Sequence, residues 1–310
     1  MIIERYNKDK KDLWDDFIVN AKNGIFMFKR DYIDYHADRF LDHSLMIFEE
    51  EKLISLIPAN TIDGIFYTHQ GLTFGGFVID NKMKSDQMLE VFSCVKKYLL
   101  QNNFNKLVYK ALPHIYHKYP SEEDLYALFV NNALLCRVDI TTTIKLGNKI
   151  PFSELRKRGA KKAIKNGIKI GINDDYISYM RLLTCILQEK YKKNPVHSCE
   201  EILLLASSFP ENIKLFTAEK DGKILAGTIV FEYDSIVHCQ YIASSNEGKD
   251  LGALDAIFSY LINDFYSNKQ YFDFGISTEN NGLYLNSSLI SQKEGFGGRT
   301  IAHYFFELQL

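Results

Sequence analysis

Largely apolar runs over positions 44–48 and 53–57, broken by the polar turn 49–52, predict a β-hairpin. A further strand over 64–69 runs into a segment dense in glycine, residues 71–76. An amphipathic helix follows, because Met88, Leu89, Val91, Phe92, Val95, Tyr98 and Leu99 recur at three- and four-residue spacing, with Ser85 placed to cap it. Residues 106–110 read as a short strand. Ser121 opens another helix, and 134–144 alternates like a closing strand.

The second half repeats that order. Strands over 213–218 and 223–233 flank the hairpin dipeptide Asp221-Gly222, whose glycine tolerates positive φ. A strand over 236–243 leads to the loop 244–252. The next helix carries Leu254, Ile257, Phe258, Leu261, Ile262 and Phe265 on one face. A short strand over 271–275, a helical stretch after Gly282 and a last strand over 300–310 complete the copy. The expected class is α/β with mixed sheets, as two tandem domains spanning residues 1–148 and 149–310. The plain alternative is two unrelated α/β domains whose elements share an order.

Composition bounds this reading without redirecting it. The chain has 310 residues, enough for two cores, with 46% hydrophobic and 25% charged residues and a formal net charge of −2. That charge gives no global attraction to polyanions, so such contact must come from a local patch. One patch stands out: Lys157, Lys161 and Lys165 recur every four residues between a Ser153 cap and Gly167, with Arg156, Arg158 and Lys162 interleaved. It could attract phosphates of a nucleotide-linked acceptor, coenzyme A or tRNA, or simply be a solvated helix face. No run approaches the ~18 apolar residues of a membrane span, and the start shows no export pattern, so a cytoplasmic protein without stable membrane insertion is expected. The five scattered cysteines form no Cys-x-x-Cys pair, and no metal site is expected.

The repeated order hairpin, strand, glycine-bearing loop, helix, strand, helix, strand resembles the acetyltransferase-like GNAT fold, and its tandem arrangement resembles the FemAB-like acyltransferases. The carriers are the basic connecting helix at 152–167, the segment 271–277, and Leu285-Asn286 followed by Lys293-Glu-Gly-Phe296-Gly297. The resemblance implies an N-acyltransferase that moves an acyl or aminoacyl group from an activated donor, acetyl-coenzyme A or another acyl-coenzyme A, to an amine of a cell-envelope-type carbohydrate or peptide acceptor. The alternatives are a non-catalytic double-GNAT binding module and an aminoacyl-tRNA-dependent Fem-type ligase. Ser291 stands where many GNAT domains carry a tyrosine acid.

Candidate residues follow from these segments. Lys110, His69 and Asp273 are the catalytic candidates, as groups able to move a proton or orient an amine. His36, Arg39, Gly71, Thr73, Gly75, His114 and Ser277 are expected to bind the acceptor, with His36 and Arg39 on one face of a helix. Tyr241, Lys249, Gly252, Lys293 and Phe296 are expected to bind the donor, its pyrophosphate lying near Lys249 and Gly252.

Overall fold

The computed structural model describes residues 1–310 apart from the side chain of Tyr191. It divides into two compact units: Met1–Asp139 with Asn281–Leu283 and Ala302–Leu310, and Ile140–Asn280 with Tyr284–Ile301. A contiguous division after residue 148 therefore does not follow the packing. The chain's last strand is built into the first unit, and residues 140–148 into the second.

In the first unit β1 (Ile2–Arg5) precedes helices α1 (Lys11–Asn20) and α2 (Arg30–Asp34) and the short β2 (Leu41–Asp42). The expected hairpin is β3 (Leu45–Glu49) and β4 (Lys52–Ile57), turning at Glu50 with positive φ. The strand expected over 64–69 is β6 (Ile65–Tyr67), shorter than expected, and it forms a second hairpin with a strand the pattern does not predict, β5 (Asn60–Ile62), turned at Asp63-Gly64 with φ of 49° and 73°. After β7 (Val78–Ile79) comes α3 (Ser85–Gln101), which buries Met88, Val91, Phe92, Val95 and Leu99 as the spacing predicts. Its N-cap is Lys84, with Ser85 the first helical residue, so the expected Ser85 cap is displaced by one. β8 (Lys106–Lys110) and α4 (Glu123–Val130) follow, the helix starting two residues past Ser121. One sheet runs β1-β3-β4-β7; β8 pairs in parallel with β6, which pairs with β5 and so with β2.

β9 (Leu134–Lys145) leads out of the first unit, and its residues 140–145 belong to the second. There α5 (Glu154–Lys165) precedes β10 (Lys169–Asn173), α6 (Tyr176–Tyr191) and α7 (Cys199–Ser208). The Ser153 hydroxyl caps α5 as expected, and Ser198 with Glu201 forms a capping box on α7. β11 (Ile213–Lys220), β12 (Lys223–Glu232) and β13 (Ile236–Ser244) form a meander, turned at Asp221-Gly222 with φ of 51° and 75°. The segment expected as a loop is α8 (Asn246–Leu251), because the Ser245 hydroxyl accepts from the Gly248 N–H and starts a helix. α9 (Ala253–Tyr260) continues as a π-helical turn, Leu261–Phe265, before β14 (Tyr271–Ile276). A small hairpin, β15 (Thr278–Glu279) and β16 (Tyr284–Leu285), then α10 (Ser287–Glu294) and β17 (Arg299–Gln309) end the chain.

The second unit's strand order is β10-β11-β12-β13-β14-β9. Each copy thus closes on a strand from the other half of the chain: residues 141–145 of β9 pair antiparallel with β14, and residues 305–309 of β17 pair antiparallel with β8. Leu45, Phe66, Phe92, Leu107 and Leu308 share the first core, while Phe216, Val230, Ile257, Phe258 and Phe272 share the second.

Candidate active site

The chemistry of the second unit gathers where β13 and β14 separate. These strands run parallel for three rungs, Ile236 with Tyr271, Val237 with Phe272 and His238 with Asp273, and then diverge. β13 is bent there by a bulge, since Val230 faces Cys239 while Ile229 faces Tyr241, leaving Gln240 without a partner on β12. On β14, Gly275 adopts φ of 74°, which lets the strand turn away from the His238 ring.

Asp273 is fully buried, and every oxygen has a role. Its Oδ2 accepts from His238 Nδ1 at 2.6 Å, and its Oδ1 accepts from the hydroxyls of Thr141 and of Thr143, the latter at 2.9 Å. Both threonines stand on β9, so the exchanged strand completes the site. A carboxylate that accepts a hydrogen bond from Nδ1–H favours the tautomer whose lone pair is on Nε2. His238 itself is 6% exposed.

Lys293, on α10, reaches the same strand end. Its Nζ donates to the carbonyls of Gly275 and Ile276, both at 2.8 Å, and to the Ser277 hydroxyl at 3.0 Å. Burial pushes its pKa down to about 8, while the Asp273 charge pulls the other way. With three acceptors for three protons, Lys293 contributes charge and holds the diverging strand end. Ser277, expected on the acceptor side, is buried here as its partner.

The expected donor residues are arranged differently from the sequence reading. Phe296 is 1% exposed and stacks on Phe274 at 5.5 Å, making it part of the core. The Tyr241 hydroxyl is held by His197, at 2.6 Å from Nδ1 and 3.1 Å from the backbone N. Lys249 is exposed, with its Nζ 2.9 Å from Asn246 Oδ1.

A coenzyme A pyrophosphate would need open N–H groups between Ser245 and the start of α9. Those of Gly248, Lys249 and Gly252 are taken by Ser245 Oγ, Ser245 O and Lys249 O. Gly252, at φ of 77°, lies against α5, where an added Cβ would come 2.4 Å from the Gly159 carbonyl oxygen. Asp255, in the first turn of α9, adds a carboxylate, paired with Arg156 at 2.7 Å. The residues present do not fit a diphosphate over Gly252, because α5 fills that space.

In the first unit, Lys110 Nζ donates to the carbonyls of His69, Gln70 and Leu72 at 3.1, 3.1 and 2.7 Å. It pins the loop, and burial brings its pKa down to about 8. His69, at φ of 63° and 1% exposed, stacks on His36 with ring centroids 5.1 Å apart. Burial, then the neighbouring His36, lowers the His69 pKa. α2 ends at Asp34, so His36 and Arg39 do not share a helix face: His36 is buried and Arg39 exposed. Gly71 gives room to the His36 and Phe40 rings, and Gly75 to the Thr68 carbonyl. Thr73 and His114 are exposed. Beneath the loop the Tyr109 hydroxyl donates to Asp124 and accepts from the Phe77 N–H at 2.9 Å, and burial raises Asp124 to about 6.

Sequence reasoning missed His238, Thr141 and Thr143. The available signal was a histidine and an aspartate each interrupting an apolar strand, since buried polar groups need partners.

No protein-family model and no curated protein matches the chain. Solved structures do. FemX is similar over 100% of this chain and 98% of its own, with a TM-score of 0.72 at 11% identity. L-PGS from Bacillus licheniformis is similar over 99% and 94%, with a TM-score of 0.64 at 12% identity. A tandem GNAT protein from the clavulanic acid biosynthesis pathway is similar over 99% and 98%, with a TM-score of 0.50 at 10% identity. The fold is therefore a tandem GNAT fold, shared in outline with FemX.

Proposed function

We propose that the chain is an acyltransferase that moves an acyl or aminoacyl group from an activated donor to an amine of a carbohydrate or peptide acceptor of the cell-envelope type, with the reaction at the parting of β13 and β14. The observation that carries this reading is the His238–Asp273 pair on the last rung before the strands separate. In the step envisaged, the amine attacks the donor carbonyl, a C–N bond forms and the bond to the carrier breaks. The proton from nitrogen passes to His238 Nε2 and on to the departing carrier oxygen or sulfur. Asp273 stabilises the imidazolium, and N–H groups on the β13 edge beyond His238 can receive the developing oxyanion. Lys293 holds the end of β14 where it leaves that edge. In this reading Lys110 shapes the acceptor loop around Gly71 and Gly75, with Thr73, Arg39 and His114 at its solvent side.

An acyl-coenzyme A donor was the expectation from the resemblance, and the filled space over Gly252 argues against its pyrophosphate lying there. That favours an aminoacyl ester carrier as donor. The test is amide formation by the purified chain, with acetyl-coenzyme A and aminoacyl-tRNA offered in parallel to amine-bearing muropeptides. Transfer from the ester alone supports the reading in full, transfer from the thioester alone refutes the donor assignment, and a chain inert with both across an acceptor panel refutes the enzyme.

A further inference from the structure

The outer face of α5 is not used by the reaction centre. Lys157, Arg158, Lys161, Lys162 and Lys165 project from it, and among the described residues only Lys157 of these makes an ion pair, with Glu154. Ala163 is buried against the core, so the helix is fixed as a ridge with its cations outward. Alongside runs a furrow of two hollows of about 410 and 680 Å³ that share Ala160, Lys161 and Ser259. It is lined by the buried Ile168 and half-buried Ile170 and, further out, by Ile164 with lysines 161 and 165. Two large apolar side chains of the helix remain in solvent: Ile164 is 62% exposed and Leu155 58%.

We infer that this face docks on an anionic phospholipid surface, with headgroup phosphates on the lysines and the glycerol and upper acyl segment against Ile164 and the furrow floor. Cations next to bare aliphatic side chains match the boundary between headgroup and hydrocarbon, where lysine stems lie along apolar surface and their ammonium groups reach the phosphates. A single-stranded nucleic acid would be met by stacking side chains as well. The furrow offers two aromatics, both half-buried and already packed: Phe152 edge-on to Phe296 at 5.3 Å and Tyr260 beside Phe265 at 5.9 Å. The net charge of −2 confines attraction to this patch.

The experiment is co-sedimentation of the full chain with vesicles of phosphatidylglycerol in phosphatidylcholine, at low ionic strength, against vesicles of phosphatidylcholine alone and against poly-uridine RNA. The expected result is binding to the anionic vesicles only. The triple variant Lys157→Gln, Lys161→Gln, Lys165→Gln should weaken it on the order of a hundredfold, at ~1 kcal/mol per cation near a charged surface. Ile164→Ser, at an exposed position, should weaken it separately with the charge intact, and a thermal melt confirms that both variants are folded. No binding to anionic vesicles, binding unaffected by both variants, or binding to the RNA in place of the vesicles overturns the inference.

Discussion

Asp273 and His238 are partners twice over: their Cα atoms form the last rung of the parallel β13–β14 ladder, and Asp273 Oδ2 accepts from His238 Nδ1 at 2.6 Å. Backbone pairing fixes the distance between the strands, and the side-chain bond fixes the ring. Removing either partner has a different structural cost. His238→Ala removes the ring that faces the buried Asp273 charge, and should destabilise by roughly 3 kcal/mol. Asp273→Asn keeps an acceptor for the ring without a buried charge, and should cost less. Urea unfolding of both variants checks the order; an equal or reversed cost would mean that the pair carries no buried charge.

Lys293 makes stability depend on pH. Its folded pKa lies near 8 against an ordinary 10.5, so between those values the unfolded chain holds a proton that the folded chain has released. Stability should therefore rise with pH in that window, by up to about 1.4 kcal/mol per unit for this group. Above about pH 10 ionisation of tyrosines in the unfolded chain opposes it, since buried Tyr109, Tyr179 and Tyr233 all have raised values. Urea midpoints compared between pH 8 and about 9.5 should climb less in Lys293→Met than in the parent. An unchanged slope would show that the buried lysine does not titrate there.

Gly252 is a packing residue. Gly252→Ala would place a Cβ 2.4 Å from the Gly159 carbonyl oxygen at φ of 77°, and should lower stability by roughly 2 kcal/mol or more. Gly159→Ala, whose Cβ would overlap the Asp255 carboxylate, should behave alike. Thermal melts of both variants measure this, and undiminished stability would mean that α5 does not rest on α9 at this point.

Lys110 holds three carbonyls of the loop that follows β6. Lys110→Ala should raise hydrogen-exchange rates over residues 69–76 while leaving α3 protected, because the loop loses its anchor and the core does not. Exchange unchanged in that loop would show that the glycine-rich backbone is held by other contacts.

Much of this fold is legible in local pattern. The 3.6-residue spacing of Met88 to Leu99, the Ser153 cap and the Asp221-Gly222 turn each act over a few residues, and each stands where expected. The same turn signal at Asp63-Gly64 marks the β5–β6 hairpin, of which the sequence reading predicts only β6. The exchange of β9 and β17 is not legible, because alternation identifies a strand but not the sheet that takes it. His238 and Asp273 lie 35 residues apart, and Thr141 lies 132 from Asp273, so their meeting is decided by tertiary pairing alone. Gly252 reads from the sequence as a phosphate-loop glycine, but the helix that fills its space comes from residues 154–165.

The most direct measurement is single-turnover amide formation by His238→Ala and Asp273→Asn beside the parent chain, at saturating donor and acceptor and at a pH where all three are folded. Loss of a proton acceptor or of the group that orients it predicts a rate lower on the order of a hundredfold to ten-thousandfold in both variants. Parent-like rates in either folded variant would contradict the account, because the bond would then be made without the pair at the parting of the strands.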